Sequence, residues 1–101
     1  MTDEIVVNVT IEDAAKAKWY TEPNGCLLAT ALRRMFPTYL FGVGPSDVFI
    51  NDEQDEFLGW WQMTAEDADR IRFAYDRRTG EVRSDFEPFT VTLTQNKRRA
   101  I

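Results

Sequence analysis

The chain has no histidine and a single cysteine. The first absence removes the side chain that shuttles protons near neutral pH and most often ligates metals. The second excludes an intramolecular disulfide. Only four prolines and five glycines occur in 101 residues, and nothing in the chain reads as a repeat, a low-complexity tract or a linker between domains. No apolar run approaches the roughly 18 residues that cross a bilayer; the stretch from Val43 to Ile50 is broken by Gly44, Pro45 and Asp47. Thr2, Asp3 and Glu4 do not resemble the basic start of a secretion signal, so with the solitary Cys26 the expected location is a reducing cytoplasm, away from membranes.

What is present is apolar mass: 44% of the residues are hydrophobic and 13% aromatic, enough to give one globular core. Residues 1–94 are expected to form a single α+β domain, and residues 95–101 a flexible basic tail. Glu4 to Thr10 alternates as a strand, with Ile5, Val7 and Val9 on one face. Thr10 and Asp13 have the spacing of a reciprocal helix cap ahead of a short helix over Ala14 to Lys18. A longer helix is predicted from Cys26 to Phe36, its apolar stripe formed by Leu28, Ala31, Leu32 and Met35 and its end set by Pro37. Tyr39 to Val43 and Val48 to Asn51 are strand-like runs around Gly44-Pro45-Ser46-Asp47, either two hairpin arms or one bulged strand. Phe57 to Met63 is another strand. Thr64 and Asp67 cap a second long helix whose inner face is Ala68, Ile71, Ala74 and Tyr75, with Arg77 and Arg78 at its negative end and Gly80 as its stop. Pro88 to Thr94 alternates Phe89, Val91 and Leu93 with threonines as the last strand. This succession predicts a mainly antiparallel single-layer sheet with two main helices, in the βαββαβ order of a ferredoxin-like fold.

Catalytic constellations are scarce. Asn24-Gly25-Cys26-Leu27-Leu28 resembles the nucleophile segment of papain-like and ovarian-tumour-type cysteine proteases, but those enzymes need a histidine base. Cys26 is therefore expected to be a buried structural residue. Asp52, Glu53, Asp55 and Glu56 lack the spacing of a calcium loop and read as a solvated acidic segment. Gly42-Val43-Gly44 runs into Pro45, so no phosphate-cradling glycine loop is present. No metal, cofactor or enzymatic activity is expected.

Charge is segregated along the chain. The first 69 residues carry 4 basic and 13 acidic side chains, net −9, and the remaining 32 carry 8 and 4, net +4. Arg70, Arg77 and Arg78, with Arg72 and Arg83 and the tail residues Lys97, Arg98 and Arg99, define a candidate nucleic-acid edge. Helix-dipole complementation and local pairing with Asp67, Asp69, Asp76 and Asp85 is the favoured reading of the same residues.

The aromatic strand is two-sided. A period of two sends Phe57, Trp61 and Met63 to one face and Leu58 and Trp60 to the other, so a sheet covered by helices on one side leaves one group outside. Trp60, Phe49, Leu58 and Leu40 are the candidate anchors of a partner-binding patch, with the acidic 52–56 loop as its rim. The expected occupant is a protein partner, either foreign or a second copy in a homodimer.

Asn24-Gly25-Cys26-Leu27-Leu28-Ala29-Thr30-Ala31-Leu32-Arg33-Arg34, Val43-Gly44-Pro45 and Pro88-Phe89-Thr90-Val91-Thr92-Leu93 resemble segments of small proteins of actinobacterial phages and their hosts. The chain departs from that pattern at Leu27, where many of those proteins have proline. The resemblance implies a phage accessory protein in the cytoplasm of a bacterial host cell, where it engages a host protein, and it brings no catalytic assignment.

Overall fold

A computed structural model describes residues 2–19 and 25–98. The first strand, β1 (Glu4–Val9), alternates as expected, with Ile5, Val7 and Val9 buried. Thr10 ends it by capping helix α1 (Ile11–Lys16). The Thr10 hydroxyl accepts from the Asp13 N–H at 3.2 Å, and the Asp13 carboxylate accepts from the Thr10 N–H at 2.9 Å, the reciprocal box that the spacing implies. That cap starts the helix three residues before the expected Ala14.

Helix α2 (Leu27–Met35) is followed by strands β2 (Leu40–Val43), β3 (Asp47–Asn51) and β4 (Phe57–Gln62), helix α3 (Ala65–Phe73) and strand β5 (Phe89–Gln95). The two runs around Gly44 are hairpin arms, closed by the Gly44 N–H donating to the Asp47 carbonyl at 2.7 Å. All pairings are antiparallel, in the order β1-β5-β4-β3-β2.

This α+β sheet is not in ferredoxin-like order. That order would put β1 inside the sheet beside a parallel neighbour, whereas here β1 is an edge strand antiparallel to β5. The reason is the path of the chain after β1: α1 and α2 carry it beneath the sheet to the far edge. It then meanders back through β2, β3 and β4, and β5 closes the gap beside β1. Helix α2 touches both edge strands, β1 and β2, so the sheet curls around it. Its 3–4 spacing predicts a one-sided helix, but every residue from Leu27 to Leu32 is buried, because the curled sheet leaves that part of the helix no wet side.

The β4–β5 seam is short, with only Trp61 opposite Gln95 and Gln62 opposite Thr94. Farther along β5, the Thr92 N–H donates to Asp67 Oδ2 at 3.1 Å. Asp67 was expected to complete a capping box with Thr64. The Thr64 hydroxyl does accept from the Asp67 N–H at 3.1 Å, but the Asp67 carboxylate is given to β5 and to Arg70.

Helix α3 stops at Phe73, before the expected Tyr75 to Arg78 turn. Tyr75 instead bridges to Val82, and its hydroxyl accepts from the Leu27 N–H at 2.7 Å while donating to the Lys18 carbonyl at 3.0 Å. It thereby satisfies the start of α2, where the side chain of the N-cap residue Cys26 makes no capping hydrogen bond. Gly80, with φ of 74°, belongs to the turn in which the Asp76 N–H donates to the Glu81 carbonyl, and it does not end a helix.

Candidate functional site

The three helices among the described residues pack on one side of the sheet, against a core that includes Trp61, Val48, Ile50, Leu93 and Val91. The opposite side is the candidate site. On its β2–β3–β4 half, pairing sets side chains in two cross-strand rows. Gly42, Phe49 and Trp60 form one, and Leu40, Asn51 and Phe57 form the next. Phe49 and Trp60 meet edge to face with ring centroids 5.6 Å apart, and Phe57 and Trp60 do so at 6.2 Å. Leu40 is 52% exposed, and the three rings are partly covered by one another. Gly42 makes the arrangement possible, since a Cβ there would lie 1.9 Å from Phe49 Cε1.

The sequence left open which tryptophan turns inward. It is Trp61, 1% exposed, whose indole N–H donates to the Thr2 carbonyl at 3.3 Å. Trp60 faces outward as a patch member, as do Phe49 and Leu40.

Leu58 does not join them; it packs against the core cluster. Strict alternation fails because the β3–β4 register shifts between Ile50 and Asn51: Ile50 is opposite Gly59 and Asn51 opposite Phe57, with Leu58 unpaired between them. Gly59, with φ of 144°, supplies the backbone conformation for this bulge. The extra residue exchanges the faces of Leu58 and Phe57, and Phe57 takes the place foreseen for Leu58. A glycine inside an aromatic strand was the available signal for the bulge.

The acidic segment at the edge of the patch is a built turn. Asp52 Oδ1 accepts from the N–H groups of Gln54 and Glu56, both at 2.9 Å, and Asn51 Nδ2 donates to Asp55 Oδ1 at 2.7 Å. Asp55 has a left-handed φ of 62°. Among the described residues, no group of three or more Cys, Asp or Glu is placed to hold a metal ion.

The basic residues do not form one edge. Arg70 is paired with Glu66 at 2.6 Å and Asp67 at 3.2 Å, and Arg72 with Asp69 at 2.7 Å. Arg77 and Arg78 lie in the loop after α3, near the start of β5. Lys97 and Arg98 follow the other end of β5, roughly 20 Å along the strand, and Lys97 pairs with Asp3 at 2.7 Å. Arg99 lies outside the described residues.

Cys26 is buried, and burial pushes its thiol above the ordinary value, outweighing nearby backbone hydrogen bonds and Arg33. The helix start beside it therefore does not activate it. No helix among the described residues is long and apolar enough to cross a membrane. No protein-family model matches the chain, and no curated protein or solved structure is significantly similar to it.

Proposed function

We propose that this protein is a non-enzymatic binding module whose outer sheet face receives a protein partner, with Trp60, Phe49, Phe57 and Leu40 as anchors. The observation that carries the reading is the outward aromatic row built over Gly42, on the side of the sheet opposite these three helices. Aromatic anchors within a polar surround are how interfaces concentrate affinity. The surround here is acidic: Asp52, Glu53, Asp55 and Glu56 form a turn at one end of the patch. A fitting partner thus presents an apolar segment flanked by Lys or Arg. A second copy of this chain fits less well, because stacked outer faces bring acidic turns into one interface. The nucleic-acid reading needs a continuous basic surface, and the arginines and lysines are divided between the two ends of β5. The likeness to small actinobacterial phage proteins gives the module a setting, a bacterial cytoplasm in which the partner is a host protein.

The test is Trp60→Glu, a substitution on the outer face that leaves the core untouched. Wild type is expected to be monomeric by sedimentation and to retain a basic partner from bacterial lysate that the variant does not, with binding weakening as salt rises. An unchanged set of captured proteins removes the aromatic face from the account. A wild-type dimer dissociated by the substitution reassigns the face to self-association.

A further inference from the structure

A cleft of about 880 Å³ lies between the end of α3 and the loop that follows, within the size range of small-ligand sites. It is separate from the aromatic sheet face. Four arginines line it, Arg72, Arg77, Arg78 and Arg83, against Asp76 and Asp85 in the lining and Asp69 paired with Arg72, leaving a surplus of one positive charge. The surplus is unusual in a chain of net charge −5.

It also has an identifiable location. Arg83 is held by Asp85 through two bonds, at 3.0 and 3.2 Å, and Arg72 by Asp69. Asp76 is committed to the backbone, its Oδ1 accepting from the Arg78 N–H at 2.7 Å and the Thr79 N–H at 3.4 Å. Arg77 and Arg78 therefore have no carboxylate partner among the described residues. Two guanidinium groups in one lining offer the planar donor forks that match phosphate oxygens. Ser84, in the same lining, adds a hydroxyl. At the mouth stands Phe73, one of the most exposed large apolar side chains, with the Arg72 guanidinium 4.9 Å from its ring centroid. A further planar ring can extend that stack.

We propose that this cleft binds a small phosphomonoester carried on a planar ring: Arg77 and Arg78 take the phosphate, whose charge is about −1.5 to −2 at pH 7, and Phe73 with Arg72 takes the ring.

The full chain is titrated with phenyl phosphate and with inorganic phosphate by amide NMR. Phenyl phosphate is expected to bind about tenfold more tightly than inorganic phosphate, with shifts centred on residues 72–85. Arg77→Gln/Arg78→Gln weakens both ligands by about tenfold or more, while Phe73→Ala weakens phenyl phosphate alone. Arg77→Lys/Arg78→Lys keeps the charge, removes the forks and still weakens both. Lys16→Gln/Arg33→Gln removes the same charge from exposed positions elsewhere and changes binding by less than about twofold. Free phosphotyrosine and adenosine monophosphate share the required chemistry, and the tighter of the two identifies the source of the ring. The proposal is overturned if the Lys16/Arg33 variant loses as much as the cleft variant, if the two phosphates bind equally, or if neither saturates below about 20 mM, where simple ion association suffices.

Discussion

Asp13 is 2% exposed yet stays ionised, because its neighbours supply what water does not. Burial raises its pKa, but hydrogen bonds from Arg34 and Thr10 outweigh that effect and hold the carboxyl below its usual value. Arg34 reaches it at 2.9 and 3.1 Å and also donates to the Asn8 carbonyl at 2.6 Å, so one carboxylate ties β1, α1 and α2 together. The folded pKa lies below the unfolded one, near 3.9. The stabilisation is therefore complete above that pH and is lost as acid protonates the folded carboxylate. Asp13→Asn should lower the unfolding free energy at pH 7 by about 2–3 kcal/mol and flatten the decline of stability below about pH 4. Urea titrations across pH measure both. An acid limb as steep as that of wild type would assign acid sensitivity to other carboxylates. The Thr10–Asp13 cap was legible as a local spacing. Arg34, 21 positions away, was not, since nothing in the sequence says which basic residue a helix cap will face.

At the scale of elements, the bulge decides the composition of the outer face. Gly59→Ala places a side chain at a φ of 144°, where a Cβ would also stand 3.0 Å from Gln95 Nε2 and 3.4 Å from Trp61 Cζ3. The expected cost is about 1–3 kcal/mol, together with changed Trp60 fluorescence, because the register that seats Phe57 against Trp60 depends on this residue. Unchanged stability and emission would show that the bulge does not need its glycine. Most strands and helices could be read from the sequence because alternation and caps are local: Glu4 to Thr10 and Pro88 to Thr94 have the burial alternation their pattern implies. What escaped was set by distant partners. Tyr75 leaves α3 to cap α2, Asp67 leaves its cap for Thr92, and α2 is buried through most of its length by a curl that no short window of sequence contains. In the candidate site, the two-faced character of the aromatic strand was legible from period-two reasoning, but which tryptophan turns outward depended on register, and Leu58 failed at the one residue that breaks the period.

Across the whole molecule, the short β4–β5 seam divides the sheet into a β1–β5 pair and a β2–β3–β4 meander. They are joined by two register pairs, by the Asn96 N–H donating to the Trp60 carbonyl at 2.7 Å, by the Trp61 indole on the Thr2 carbonyl, by Asp67 and by α2, which touches both outer edges. Long ladders on either side of a short one favour separate local opening. Native-state hydrogen exchange should give the amides of β1–β5 and those of the meander different opening energies, with Leu28→Ala lowering both by about 2–5 kcal/mol. One energy common to both sets would mean that these links couple the halves into a single unit.

The curl that wraps α2 also determines what kind of visitor the aromatic patch can receive. A sheet bent around a helix is hollow on the helix side and domed on the other, so Trp60 and its neighbours stand on a bulging surface. Whatever docks there must bring its own hollow, as a groove or as a pliant segment that drapes over the dome.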